Sequence, residues 1–396
     1  MLGRWTLAVA FGLLAMPVPS SALPLYAARE QKACGHCHVD PGGSGPRNGR
    51  GQYYESHDHA FEGFDESAYE AAAALEAATP LESLLKSLSF SGNLRILYSL
   101  SEGPHLGGGQ SCESCHTSGG RAPDQTFLLM QGEIGVSARV SDAVSFVYTN
   151  DLGLTRDVYG VLRLGESGAF VKAGIFEVPY GIEEIRDHNA LVKSRHGIGS
   201  NLRDVGVAVA VQKPNRFASV AVMNGGQRLP DFAPVLSSSI DQNGSPSIAL
   251  RGGLNSSRVR VGASFLFDDS LAATRARQMV GGLFGTVFAE RWRASAEVDL
   301  GNAKLGGRDA SNLGVLGLLT WSPCETFEVS AQLDRYDPDT DTSGDGETWY
   351  SAIVERDITR NASVQLRYRV RDEEAQRADG SEIANNDFLT MLYVHF

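Results

Sequence analysis

The last ten residues of the chain, from Asp387 to Phe396, read DFLTMLYVHF. Phe388 and Leu392 fall on one face of this stretch, while Asp387 and His395 fall on the other. Alternation with a period of two is the pattern of a β-strand, because successive side chains of a strand point to opposite faces. The stretch therefore predicts a strand with two chemically different sides.

The same alternation recurs upstream. Three clear examples are 258–267, 291–300 and 362–371. In each of them one face is aliphatic with aromatic residues near the ends, and the other carries full charges such as Glu297 and Arg367. A half-buried sheet in a soluble protein also alternates. A charged inner face with an apolar outer face is the pattern of a transmembrane barrel, with water inside and lipid outside.

The connections between these segments alternate in length. Short turns are predicted at 140–142, 165–168, 213–215, 255–257, 289–290, 322–325 and 359–361, and longer connections at 179–200, 225–244, 301–311, 337–346 and 373–384. Short periplasmic turns and long outer loops are typical of outer-membrane barrels, whereas a two-sheet sandwich gives no reason for the alternation. We therefore predict an all-β fold, a transmembrane barrel of about sixteen antiparallel strands, beginning with Phe90 to Leu100.

The parity of the strand count predicts the topology. Bacterial single-chain barrels have an even number of strands, so their two ends lie on the same side of the membrane. The terminal Phe396 resembles the end of a closing strand, which lies in the periplasm. We therefore expect residues 23–88 to begin on the periplasmic side and residues 101–124 to form the first outer loop of a barrel domain at 89–396.

Two stretches of the chain have the same C-x-x-C-H pattern. CGHCH at 34–38 precedes the first predicted strand, and CESCH at 112–116 follows it. Two thiols spaced C-x-x-C add to the vinyl groups of a haem, and the histidine that follows ligates the iron. A zinc knuckle and a redox dithiol are the alternatives, but a knuckle does not need the histidine that ends both motifs. We predict two covalent haem c groups, on Cys34, Cys37, Cys112 and Cys115, with His38 and His116 as proximal ligands.

The N-terminal segment 23–88 is predicted to be a small helical and irregular haem-binding unit, periplasmic or placed as a plug in the lumen. Its glycine-rich run at 41–51 would allow backbone to lie close to a flat ring, and Arg47 and Arg50 could pair with propionates. The Ala- and Glu-rich stretch from Ser67 to Ala78 predicts a helix.

Residues 1–22 have the pattern of a secretory signal, with Arg4 before an apolar run and small residues at the end. Thioether attachment of haem also takes place on the exported side of the inner membrane, so the two signals agree. The formal net charge of −12 argues against a nucleic-acid partner. The fifth cysteine, Cys324, is interpreted as an ordinary thiol.

A signal peptide, an N-terminal C-x-x-C-H segment and an outer-membrane barrel in one chain resemble the fused cytochrome–porin family. In specific residues the resemblance rests on Cys34, Cys37, His38 and the terminal strand. It implies electron transfer across the outer membrane of iron-oxidising or metal-respiring bacteria. This chain has a second C-x-x-C-H motif, which the single-haem members of the family lack. The mechanism of those members is therefore carried over to this chain only in outline.

Each haem needs a second axial ligand or an open site. The methionines before residue 125 lie in the signal, so His57 and His59 are the local candidates for the first haem. His105 is the nearest candidate for the second, with His188 and His196 as more distant ones. Two histidine ligands would leave no vacant position, which suits electron transfer better than catalysis.

The favoured hypothesis is thus an electron conduit in the bacterial outer membrane rather than an enzyme with its own substrate pocket. Its partners would be the lipid bilayer, a soluble periplasmic c-type cytochrome and an extracellular donor or acceptor such as iron. Lumenal arginines, Arg260, Arg293, Arg367 and Arg369 among them, could hold the N-terminal segment. One alternative is a porin for small anions with structural or regulatory haem, and a less favoured one is a dihaem peroxidase-like enzyme.

Overall fold

The computed structural model describes residues 30–43, 47–57, 60–69, 87–101, 124–151, 154–182, 190–195, 203–225, 246–268, 278–305, 308–324, 326–359, 361–373 and 385–395. The predicted signal, most of the predicted 67–78 helix and the motif at 112–116 lie outside these ranges. No helix within them is long and apolar enough to cross a membrane.

Sixteen antiparallel strands form one closed barrel, in which each strand pairs with its sequence neighbours and β1 pairs with β16. The strands are β1 Leu88–Ser101, β2 Asp124–Arg139, β3 Val144–Asp151, β4 Leu154–Arg163, β5 Ala169–Glu177, β6 Arg203–Lys213, β7 Arg216–Met223, β8 Ser247–Asn255, β9 Val259–Asp268, β10 Gln278–Ala289, β11 Trp292–Leu305, β12 Arg308–Cys324, β13 Phe327–Asp337, β14 Glu347–Thr359, β15 Ala362–Glu373 and β16 Asn385–His395. The predicted fold class, the strand number and the place of the first strand in the wall are confirmed.

The alternating faces lie as predicted. On β15, Leu366 and Tyr368 are exposed on the outside, while Arg367 and Arg369 are buried in the interior. On β11, Leu300 is 64% exposed and Asp299 only 1%. In a closed barrel every strand is paired on both sides, so no backbone N–H or C=O group at a sheet edge needs water. The apolar side chains on the outside of such a barrel can therefore face the hydrocarbon of a bilayer.

The length alternation of the connections is less regular than predicted. The 301–311 stretch was expected to be a long connection, but β11 continues to Leu305 and β12 begins at Arg308. The hydroxyl of Ser311 donates to Oδ1 of Asn302 across these two strands, at 3.0 Å. Strand ends that lie outside the hydrocarbon meet water on both faces, so their side chains need not alternate between apolar and polar. The sequence of such strand ends therefore resembles that of a polar loop.

The connection after β5 does not stay outside the wall. Val178, Tyr180 and Ile182 are buried, as is the run from Ala190 to Lys193. Leu191–Arg195 forms a short helix, α2, which follows α1 (Gly49–Ser56) in the chain. Leu191 packs with Tyr336 of β13 and Trp349 of β14. Because β13 lies eight strands from β5 in a ring of sixteen, this lumenal loop (178–182 and 190–195) crosses the interior.

Buried ionic and hydrogen-bonding contacts fix the lumenal loop to the far wall. Lys193 Nζ lies 2.6 Å from Oε1 of Glu297 on β11, and Tyr180 donates to Oδ1 of Asp299 at 2.9 Å. Gly181 has a φ of +57°, and a Cβ there would lie 2.0 Å from the Glu297 carboxylate. A larger residue at 181 would therefore displace the Lys193–Glu297 pair.

Candidate functional site

The first C-x-x-C-H motif folds as one tight helical turn. Cys34–His36 is a 3-10 helix, and the amides of Cys37 and His38 both donate to the carbonyl of Cys34, at 3.2 and 3.0 Å. These hydrogen bonds place Cys34, Cys37 and His38 within a single turn. Such a turn would allow both thiols to hold one haem and the histidine to ligate its iron.

Two glycines allow the backbone to close around this turn. Gly43 has a φ of +92°, and a Cβ there would lie 3.0 Å from Cβ of Cys34. A Cβ on Gly51 would lie 2.2 Å from the Cys37 carbonyl oxygen. The glycine-rich run therefore supports the cysteine turn by close backbone approach, as glycine permits.

A buried carboxylate docks this segment onto the inner wall. Asp40 is fully buried, and its Oδ2 lies 2.6 Å from Nζ of Lys172 on β5 and accepts a hydrogen bond from Tyr159 of β4 at 2.8 Å. Its Oδ1 accepts from the amide of Gly42 at 2.8 Å. The contact lies in the lumen, because Tyr159 alternates with the lipid-facing Val158.

Two further wall residues place the segment at one end of the barrel. Arg163, the last residue of β4, donates to the carbonyl of Val39 at 2.5 Å, and Gln212 Nε2 lies 3.5 Å from the Cys34 sulfur. Both residues adjoin short turns, at 164–168 and 214–215. The segment therefore occupies the short-turn end of the lumen, the end that the topology predicts to be periplasmic.

The contacts that fix the described part of the segment to the wall involve residues that the sequence did not single out, and the proposed role of Arg260, Arg293, Arg367 and Arg369 stays a prediction. Asp40, Tyr159, Arg163 and Lys172 make the contacts described above, whereas Arg293 of β11 pairs with Glu328, with nitrogen and oxygen 3.8 Å apart. Nothing in the sequence links Asp40 to Lys172, which follows 132 residues later. Antiparallel pairing around the barrel brings them together.

An aromatic shell lies beside the cysteine turn. The helix α1 (Gly49–Ser56) begins next to Cys37, whose carbonyl accepts from the amide of Asn48 at 2.9 Å. Asn48 caps this helix by accepting from Gly51 at 3.0 Å. The ring of Phe61 meets His36 edge-on, with centroids 5.3 Å apart, and also packs against Tyr54.

His57, a candidate distal ligand, caps the far end of α1. Its ring stacks on Tyr53 with centroids 3.7 Å apart, and its Nδ1 lies 2.9 Å from the Tyr53 carbonyl oxygen. A proton on Nδ1 that is donated to this oxygen leaves the lone pair on Nε2, where a metal binds. His59, the other local candidate, lies outside the described residues.

We expect the double change His57→Ala and His59→Ala to convert the first haem from low spin to high spin. The reason is that no methionine lies nearby in sequence and that the His57 tautomer suits ligation. The absorption spectrum of the purified protein measures this, and His395→Ala, on the last strand, is the control. An unaltered spectrum in the double variant would assign the sixth ligand to another residue.

Burial disfavours the charged forms of two side chains in the cysteine turn, His36 and Cys37. Burial lowers the pKa of His36, and the nearby Lys32 lowers it further. Burial also raises the pKa of the Cys37 thiol. Of the two arginines proposed to pair with propionates, Arg50 donates to Oε1 of Glu66 at 2.6 Å, and its pairing with a propionate stays a prediction. Arg47 lies in a β-bridge beside His38, and its proposed role stays a prediction.

The donor set of the cysteine turn fits a covalent haem. Cys34 and Cys37 are half-buried on one turn, neither is in a disulfide, and His38 follows them directly. The second motif, with Cys112, Cys115 and His116, and the candidate ligand His105 lie outside the described residues.

Comparison with known proteins identifies the fold. No protein-family model and no curated protein matches the chain. Among solved structures, OmpT of Vibrio cholerae folded in vitro has a TM-score of 0.57 at 12% identity, covering 79% of this chain and 99% of that one. An anion-selective porin from Comamonas acidovorans gives 0.54 at 9%, covering 78% and 99%. The outer membrane channel DcaP of Acinetobacter baumannii gives 0.54 at 14%, covering 78% and 97%.

These neighbours share the barrel architecture with the chain. The fold is that of an outer-membrane porin, with sixteen strands and an apolar outer surface. The location in the bacterial outer membrane that the sequence predicted agrees with this fold.

Proposed function

We propose that this protein conducts electrons across the bacterial outer membrane, as a porin-type barrel with a c-type haem segment held in its lumen. The observation that supports this most is the docking of the C-x-x-C-H turn onto the inner wall through Asp40. A cytochrome module that met the barrel only from the periplasm would leave this carboxylate in water. Its full burial indicates that the segment is part of the barrel interior.

A covalently bound haem on Cys34 and Cys37 would supply one-electron redox chemistry. The chain itself performs the other tasks. His38 is placed to ligate from one side, and the aromatic shell of Phe61 and Tyr54 keeps water from that end of the segment. Lys172 and Tyr159 hold the segment in a fixed position at the short-turn end. The closed wall insulates the path from lipid.

The partners that we propose are those that could meet the two ends of this electron path. A redox centre at the short-turn end is within reach of a soluble periplasmic c-type cytochrome. On the other side the path would meet an extracellular donor or acceptor such as iron, by way of the predicted haem on Cys112 and Cys115. The acidic net charge gives no support for a nucleic-acid partner.

A channel for small anions is the second candidate function, and two observations favour it. The fold is shared with a porin described as anion-selective. The inner face of β15 also carries Arg367, Arg369 and Arg371, all buried in the interior. In this case the haem segment would be a structural or regulatory plug.

Two measurements on the same purified protein separate the two functions. We expect a low ionic conductance in planar bilayers, because the N-terminal segment and the lumenal loop both occupy the interior. We expect proteoliposomes loaded with a ferric cytochrome c to show reduction of that cytochrome by an impermeant external reductant. A large open-pore current without electron transfer would favour the anion channel.

A further inference from the structure

Positively charged residues are concentrated at the short-turn end of the barrel, between β6 and β11. They occupy the β6–β7, β8–β9 and β10–β11 turns, and within the described residues of these turns (213–216, 255–259 and 289–292) Glu290 is the one acidic side chain. The whole chain has a formal net charge of −12, so this local excess of cations runs against the overall composition. We call the four cations of these turns the basic rim: Lys213, Arg216, Arg258 and Arg291.

Backbone hydrogen bonds hold these turns in a fixed row. The amide of Asn255 donates to the carbonyl of Asn215 in the neighbouring turn at 3.0 Å, and the amide of Phe288 donates to the carbonyl of Arg258 at 2.7 Å. From β6 to β11 there are five strand spacings of about 4.8 Å, so the row is roughly 24 Å long. Its cations therefore have a defined spacing.

The charges of the basic rim face solvent. Arg216 and Arg258 are exposed, and Lys213 and Arg291 are half-buried. Within the part of the chain that the structure describes, none of the four forms an ion pair with a carboxylate. Neighbouring turns are about 10 Å apart, which is close to the Debye length of about 8 Å at physiological ionic strength. The fields of the four cations therefore overlap into one positive region.

The basic rim begins beside the cysteine turn. Gln212, whose Nε2 lies 3.5 Å from the Cys34 sulfur, directly precedes Lys213. Weak redox encounters bury less than about 1,200 Å² in total, or about 600 Å² on each partner, which corresponds to a circle about 28 Å across. One footprint of this size covers both the row of turns and the position of Cys34.

The next part of the short-turn end carries the opposite charge. Glu328 of β13 and Glu355 of β14 are register partners, and the exposed Asp357 lies two residues further along β14. Carboxylates that face an acidic surface repel it, and such like-charge contacts suppress wrong orientations of a partner. An acidic partner would therefore be confined to the sector from β6 to β11, next to the cysteine turn.

Phosphates of lipid headgroups are other anions that could meet these cations. Lys213 and Arg216 continue the outward-facing alternation of β6 and β7, so they lie on the lipid side of the wall. Arg258 and Arg291 continue the inward-facing alternation of β9 and β11, on the side of the lumen. A lipid outside the barrel reaches only the first pair, whereas a protein that covers the mouth of the barrel meets both pairs.

We infer that the basic rim is the docking surface for a soluble redox protein that carries acidic residues around its own cofactor. This inference deepens the proposed function and rests on it, because the centre that exchanges the electron is the haem predicted on Cys34 and Cys37. One electron passes between that haem and the cofactor of the docked protein. The acidic face of the partner and the cations of the basic rim bring the two centres together.

The test compares two charge forms of one cytochrome. Mitochondrial cytochrome c is basic, and succinylation of its lysines makes it acidic while its haem stays in place. The full-length haem-loaded protein, in a neutral detergent, is reduced with dithionite and freed of the excess. Binding of each ferric cytochrome is measured by titration calorimetry, and its reduction is followed by stopped-flow absorbance. We expect the succinylated form to bind the wild type more tightly and to be reduced faster, with both effects weakened by salt.

The decisive variant is the double charge reversal Arg258→Glu and Arg291→Glu. Binding and reduction of the succinylated cytochrome should each fall by at least about tenfold, while those of the native cytochrome should rise. Arg308→Glu changes an exposed cation at the other end of the barrel and is the matched control, which should behave as wild type. Heat-modifiable migration in gels checks that each barrel folds.

The outcomes separate this inference from the proposed function. Equal binding of the two cytochromes by wild type, or unchanged binding in the double variant, overturns the docking surface even if electrons are transferred. A double variant that loses only its association with phosphatidylglycerol would make the basic rim a lipid site and would also overturn the inference. Reduction of a small neutral quinone should be the same in all variants. If wild type reduces neither the quinone nor either cytochrome, the proposed function fails, and the calorimetric binding still tests the docking.

Discussion

Replacing both Cys34 and Cys37 with alanine should abolish electron transfer across proteoliposome membranes while the barrel still forms. The two thiols are the predicted haem attachment points of the segment that docks inside the lumen. Apart from the 3.5 Å contact between the Cys34 sulfur and Gln212, the wall contacts described above run through Asp40 and Val39. The docked backbone should therefore persist without the redox centre. The measurements are haem content per protein, expected to fall by half, and the rate of cytochrome reduction inside the vesicles.

The control for this experiment is Cys324→Ala. Cys324 is an exposed cysteine at the turn after β12, its sulfur lying 3.8 Å from the hydroxyl of Thr326. Its loss should alter neither haem content nor transfer. Transfer that persisted after loss of Cys34 and Cys37 would show that the conduit does not pass through the first motif.

Changing Asp40 to asparagine should release the N-terminal segment from the wall and open an ionic path. Asp40 is fully buried, Lys172 is 14% exposed, and their charged atoms are 2.6 Å apart. Removing one partner of a buried ion pair costs about 3 kcal/mol or more, roughly a hundredfold in the docking equilibrium. Single-channel conductance in planar bilayers should rise to the level that the lumenal loop, which stays in place, still permits, and a protease added at the periplasmic side should cleave the segment.

Two further variants make this prediction specific. Asp40→Asn combined with Lys172→Met removes both charges and should restore part of the docking, because the unpaired buried ammonium is gone. Asp65→Asn changes an exposed carboxylate of the same segment, one that accepts from the amide of Ala68, and should leave the conductance low. A conductance that is already high in wild type, or unchanged in Asp40→Asn, would contradict a plug held at Asp40.

The barrel could be predicted from the sequence because its determinants are local. Alternation along each strand fixes which side chains meet lipid, and the C-terminal strand shows it with Phe388 and Leu392 outside and Asp387 inside. The prediction failed at 301–311, where the strands extend past the membrane and lose that pattern. Solvent on both sides of a strand removes the physical cause of alternation.

The candidate site was only partly predictable, for a complementary reason. The C-x-x-C-H pattern predicts a haem site at Cys34, Cys37 and His38, because haem attachment depends on residues within one turn. Asp40 and Lys172 gave no such signal, since their pairing depends on how β4 and β5 are placed in the ring. The lumenal loop was expected among the outer connections, although its buried apolar run from Ala190 to Val192 was a signal that could have been used.

The lumenal loop has a mechanical consequence. It leaves the wall after β5 and is fastened on the opposite side by Lys193 to Glu297 and by Tyr180 to Asp299. A hollow cylinder in a bilayer flattens most easily along a diameter, and this loop acts as a tie across one. Lateral pressure from the lipid would then be carried through Glu297, so the width of the lumen along the loop would stay constant as membrane tension changes.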